Sequence, residues 1–89
     1  MALGRLEIVN EKGLHARASA RFVETVEAHD AQALVRRGGM EASGDSIMGL
    51  LMLGAARGST IEVETVGPAA DALLDALRRL VADRFGEEM

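Results

Sequence analysis

The chain has 89 residues and a net charge of −4, from 14 acids against 10 Lys and Arg, with no Cys, Tyr or Trp. That length predicts one small domain over residues 1–89 with little core to spare, and the lack of Cys excludes disulfides and thiolate metal sites and fits a reducing compartment. The acidic balance without stacking aromatics argues against a nucleic-acid partner. No apolar run nears the roughly 20 residues of a membrane span, and Met1-Ala2-Leu3-Gly4-Arg5 lacks a signal peptide's apolar centre, so a cytoplasmic chain without membrane insertion is expected.

Leu3–Val9 alternates in part, with Leu6, Ile8 and Val9, and reads as a strand. Gly13-Leu14-His15-Ala16-Arg17 follows. Ala18, Phe22, Val23 and Val26 then gather into one apolar stripe, while Arg21, Glu24, Thr25 and Glu27 lie on other faces, which predicts an amphipathic helix over Ala16–Val26. Gly13 has the backbone freedom to turn the chain into that helix, which puts His15 at or beside its N-cap.

A helix N-terminus leaves N–H groups without internal partners and carries positive partial charge, so it favours an anion. A neutral imidazole keeps a lone pair on one ring nitrogen and is a covalent nucleophile. Guanidinium and backbone donors both match phosphate oxygens. His15 is thus the candidate phosphoryl acceptor, with Arg17 and the N–H groups of Ala16 and Arg17 as the seat of the phosphate. The plainer reading of a lone His before a helix is a cap or surface residue.

Further on, Ala31–Arg37 and Met40–Ser43 read as short strands joined by a tight turn at Gly38-Gly39. Ser46 opens Ile47-Met48-Gly49-Leu50-Leu51-Met52-Leu53, a short apolar helix closed by Gly54. Ser59–Val66 is the clearest strand, with Ile61, Val63 and Thr65 alternating against Glu62, Glu64 and Val66. Leu73, Leu77, Leu80, Val81 and Arg84 recur at helical spacing over Ala69–Phe85, between Pro68 and Gly86. Glu87-Glu88-Met89 reads as a frayed acidic tail. Arg36-Arg37 and Arg78-Arg79 read as solvated surface charge, and His29 as an ordinary surface residue with no metal-ligand companion.

The order βαββαβα predicts an α+β fold, an open-faced β-sandwich: a four-stranded, mostly antiparallel sheet with three helices on one face and the other face wet.

Gly13-Leu14-His15-Ala16-Arg17, then Asp45-Ser46-Ile47-Met48-Gly49-Leu50-Leu51-Met52-Leu53-Gly54, then Gly58-Ser59-Thr60-Ile61, resemble the HPr family, the histidine phosphocarriers of the bacterial phosphoenolpyruvate-dependent phosphotransferase system. The resemblance spans nearly the whole chain. It implies that His15 takes a phosphoryl group from phosphoenolpyruvate through enzyme I, on Nδ1, and passes it to a histidine of an IIA-type acceptor domain, with Arg17 steadying the phosphate and no cofactor or metal. It implies either sugar uptake or the nitrogen-related regulatory branch, the Met-rich second signature leaning to the latter. It further implies that Ser46 is a regulatory site for a dedicated ATP-dependent serine kinase/phosphorylase. The bland reading of Ser46 is an N-cap, and the two roles are compatible.

The resemblance also places a partner-docking surface on the short helix, divided as Leu50 and Leu53 inward and Ile47, Met48 and Leu51 outward, where Met suits several partners. Two departures stand out: Ala18 where the family commonly has Pro, and Asp45, whose negative charge beside Ser46 bears on kinase recognition. The alternative function is a regulatory protein-binding module whose affinity is set by phosphorylation. Alternating surface charge with one modest apolar patch suggests a monomer.

Overall fold

In the computed structural model, which describes residues 1–87, the alternating strand Thr60–Val66 runs through the middle of a sheet, with Ile61, Val63 and Thr65 buried on one face. Among the described residues the elements are β1 (Ala2–Glu7), α1 (Ala16–Glu27), β2 (Gln32–Arg37), β3 (Met40–Ser43), α2 (Ile47–Met52), β4 (Thr60–Val66) and α3 (Ala70–Ala82), followed by a short turn at Arg84–Gly86. The order βαββαβα is the expected one. The sheet order is β1-β4-β2-β3 and every neighbouring pair is antiparallel, so the "mostly" of the expectation becomes "entirely".

The three helices cover one face because their apolar stripes have nowhere else to go. Phe22 from α1, Leu50 from α2 and Leu73 and Leu77 from α3 are fully buried with Val35, Ile61 and Val63 of the sheet. The buried Thr65 hydroxyl, on the same face, donates to the Ala70 carbonyl across 2.8 Å, so its polar atom is satisfied inside the core. α2 lies close on β3 because Gly49 has no side chain: a Cβ there would stand 3.1 Å from the Cβ of Ala42.

The outer face carries charge in cross-strand register. Arg5 stands opposite Glu62 and pairs with it at 3.4 Å, and Arg36 reaches Glu64 at 3.2 Å and Glu41 at 3.9 Å. Arg36 and Arg37 are therefore not the isolated solvated pair that their sequence suggests. Both are half-buried, and Arg37 donates through Nη1 to the carbonyl of Leu53 at 3.0 Å, satisfying a backbone oxygen beyond the end of α2.

The last helix is shorter than its periodicity predicts. It ends at Ala82, and Arg84 (φ 56°) and Phe85 (φ 55°) take the left-handed conformation, followed by Gly86 (φ 79°). Such angles cost a side-chain-bearing residue about 1–2 kcal/mol. The reversal returns the Phe85 ring to the core with no exposed surface, a burial contributing about 1.5–3 kcal/mol. The helical count failed here because Phe85 belongs to the same core by a different backbone route.

Candidate functional site

His15 is the N-cap of α1, extended at φ −83° and ψ −176°, and its carbonyl accepts the first intrahelical bond from Ser19 N–H at 2.8 Å. The N–H groups of Ala16, Arg17 and Ala18 therefore have no acceptor within the helix and point out of its end. The imidazole makes no capping bond, which leaves its nitrogens for other work.

The loop that delivers His15 is tightly tied. Gly13 sits at φ +66°, its N–H donates to Asn10 C=O at 3.2 Å, and Leu14 N–H donates to Ala55 C=O at 2.9 Å. Asn10 is fully buried, and its side-chain amide donates to the carbonyl of Gly13 at 2.7 Å. The loop thus presents its histidine from a fixed base.

Glu87 meets the ring from the far end of the chain. Its Oε2 lies 2.5 Å from His15 Nε2, and its Oε1 accepts from Asn10 Nδ2 at 2.8 Å. Burial pushes the Glu87 carboxyl up, but hydrogen bonds from Asn10 and His15, with the charges of His15 and Lys12, outweigh it and hold the carboxyl below its ordinary value. An ionised carboxylate only accepts, so Nε2 carries the proton. In the neutral ring the lone pair is then on Nδ1, which has no hydrogen-bond partner among the described residues. The tail expected to fray is accordingly placed at Glu87; Glu88 and Met89 lie outside the described residues.

Arg17, the second residue of α1, is exposed and forms no ion pair among the described residues. His15, Ala16 and Arg17 come together at one helix end, as their spacing predicts. Asn10 and Glu87 were missed. The one local signal was Phe85-Gly86, an apolar aromatic before a glycine past a helix end, which marks chain reversal.

Ser46 caps α2: its Oγ accepts from Gly49 N–H at 3.0 Å. Asp45 beside it accepts from the Ser43 hydroxyl at 2.5 Å. On α2 Leu50 and Leu53 are buried as expected, and Ile47 and Met48 are exposed, Met48 by 68%. Leu51 is only half-buried, and Met52, 67% exposed, takes the outward place given to it. One turn beyond Met48 on a helix of 3.6 residues per turn lies Met52, so the two share the exposed face.

His29 is half-buried after α1, its Nδ1 2.8 Å from the Thr25 carbonyl. It lines an open groove of about 460 Å³ with Val26, Ala33, Leu34 and the carboxylates of Glu27, Asp45 and Glu64. Three acids make that groove unsuited to phosphate, and none of His15, Arg17 and Ser46 lines it. No group of three or more His, Cys, Asp or Glu able to hold a metal occurs among the described residues, and no helix there is long and apolar enough to cross a membrane.

Residues 4–83 match the family model PTS-HPr, described as the PTS HPr component phosphorylation site. The chain is 45% identical over 80 residues to phosphocarrier protein HPr of Cupriavidus necator, covering 90% of each, and 39% identical over 84 residues to phosphocarrier protein NPr of Escherichia coli, covering 93% of each. Its fold superposes on the crystal structure of an HPr from Thermoanaerobacter tengcongensis with a TM-score of 0.94 at 34% identity, covering all of both chains.

Proposed function

The chain belongs to the HPr family of phosphotransferase-system phosphocarriers, and from that premise we propose that His15 is its phosphoryl acceptor, loaded by enzyme I on Nδ1 and unloaded to a histidine of an IIA-type domain. The observation that carries this reading is the helix end itself: Nε2 is occupied by Glu87 while Nδ1 is unpartnered on the residue that caps α1, directly before the exposed Ala16 and Arg17, whose N–H groups have no acceptor within the helix. Those amides and the Arg17 guanidinium are the donors for the phosphate oxygens. Residues 1–89 act as one carrier domain, in the cytoplasm and as a monomer, a reading supported by the charged outer face of the sheet.

Ile47 and Met48, joined by Met52, form the docking surface for enzyme I and the acceptor domain, with Leu51 as its half-buried floor. Flexible Met side chains let one surface serve different partners. The same surface supports a second role in binding regulatory targets, since a phosphate adds about two negative charges to the domain. Ser46 is a regulatory site for an ATP-dependent serine kinase, where a phosphate would sit at the N-terminus of α2 next to the acidic Asp45.

The test is intact mass after incubation with phosphoenolpyruvate and enzyme I, for the wild type and His15→Ala. The expected result is one acid-labile phosphate on the wild type and none on the variant. No adduct with active enzyme I, or an equal adduct on His15→Ala, would overturn the assignment.

A further inference from the structure

His15 is braced by a chain of contacts that starts in the core. Asn10 is fully buried, and its amide nitrogen serves two acceptors, the carbonyl of Gly13 at 2.7 Å and Glu87 Oε1 at 2.8 Å. Its Oδ1, equally buried, has no partner among the described residues. An unsatisfied buried oxygen is destabilising, and turning the amide over would satisfy nothing, because Oδ1 would then face two acceptors. The two donated bonds therefore set the side chain's orientation.

The other end of the brace is also held against a local cost. Arg84, Phe85 and Gly86 are left-handed in succession, and with Phe85 anchored in the core the next residue, Glu87, lands on the imidazole. Backbone outliers of this kind persist only where their surroundings over-determine them. Here the core holds one side and Asn10 with His15 the other.

We propose that Glu87, steered by Asn10, is a positioning residue for phosphoryl transfer: it keeps the proton on Nε2, fixes the rotation of the ring so that Nδ1 faces the open helix end, and balances the charge the ring acquires. This rests on the phosphocarrier reading. When Nδ1 attacks, its lone pair becomes the Nδ1–P bond while the bond from phosphorus to the donor's leaving atom breaks, its electron pair departing with the donor. No proton moves. The ring keeps its Nε2–H and becomes cationic, and the Glu87 carboxylate accepts that hydrogen, with Oε2 2.5 Å from Nε2. In delivery the cationic ring is the leaving group, and its electron pair returns to Nδ1. A carboxylate placed where charge develops acts in both directions.

The test compares wild type, Glu87→Gln and Asn10→Ser in two measurements: steady-state phosphorylation by enzyme I, and the ¹⁵N shifts of the unphosphorylated His15 ring. Glu87 lies outside the core, so Glu87→Gln stays folded with a modest loss of stability, and both variants are read against their own melting temperatures. Expected for Glu87→Gln are a kcat about tenfold lower at unchanged KM, in the range lost when a carboxylate that orients an imidazole is removed, and ring ¹⁵N shifts moved toward tautomer averaging; Asn10→Ser moves both in the same direction. Unchanged kcat and shifts, or a change in KM alone, would reduce Glu87 to a structural tie and overturn the proposal. A wild type that takes no phosphate would overturn the phosphocarrier reading, and the proposal with it, and is told apart because it shows in the unsubstituted chain.

Discussion

The N–H of Leu14 donates to the carbonyl of Ala55 across 2.9 Å, and this bond ties the loop in front of α1 to the loop that follows α2. Between the two runs Gly13 at φ +66°, where a Cβ would stand 2.6 Å from the Ala55 oxygen and 2.9 Å from the Ala56 Cα. Both obstacles are backbone and cannot swing aside. Gly13→Ala is expected to combine left-handed strain of about 1–2 kcal/mol with a displaced loop, for a total loss of about 2–4 kcal/mol in urea unfolding. Because His15 rides on that loop, phosphorylation by enzyme I should fall further than in a core variant of equal stability. A loss under about 0.5 kcal/mol would show that the close approach does not hold the loop.

At Ser46 the structural role and the regulatory proposal can be separated. Ser46→Ala removes the acceptor of Gly49 N–H and should cost about 1 kcal/mol, a drop of about 4–8 °C in Tm for a domain of this size. Ser46→Asp keeps a capping oxygen and should recover most of that. Calorimetry of the three proteins decides it: equal Tm for Ser46→Ala and wild type would mean that the cap bond is without weight.

Much of this was legible because the domain is built from short elements whose periodicity is undisturbed. β4 shows its inward and outward residues by simple alternation, and the helix after His15 by its stripe, so fold class and the His15-Arg17 helix end followed from local pattern. What escaped depends on distance along the chain. The bond between His15 and Glu87 spans 72 residues and leaves no periodic trace. Asn10 sits among polar neighbours as a loop residue would, and only the fold shows that it is buried. Leu51 was placed outward and Met52 was given no place for a third reason: on a six-residue helix that is apolar all round, composition gives no face, and only the packing decides.

The α2 surface yields a contrast between neighbours. Met48 is 68% exposed and Leu50 is fully buried. Met48→Glu should leave stability within about 0.5 kcal/mol yet raise the KM for enzyme I about tenfold, the effect of losing an interface contact worth about 1.4 kcal/mol. Leu50→Ala should instead lose about 2–5 kcal/mol. Kinetics and chemical denaturation on the same preparations separate the two, and an unchanged KM in both Met48→Glu and Met52→Glu would remove this face from the docking surface.

Acid should loosen the tail before it reaches the core. The Glu87 carboxyl is raised by burial but lowered further by Asn10, His15 and Lys12, and so titrates below its ordinary value in the folded chain. In the unfolded chain it titrates at that ordinary value, near pH 4.3 for glutamate. Between the two values the unfolded state binds more protons, so stability rises with pH through that window. The contribution of Glu87 is complete above the ordinary value and is lost as pH falls through the lowered one. Glu87→Gln lacks this titration, so its stability gap from wild type should be constant just above about pH 4.3 and should narrow progressively below it. The same experiment followed by the ¹⁵N shifts of His15 should show the ring released over the same interval, because protonated Glu87 no longer offers an anionic partner to Nε2–H. A gap that stays open at the acid end, or closes well above the glutamate range, would mean that some other carboxylate governs the acid response.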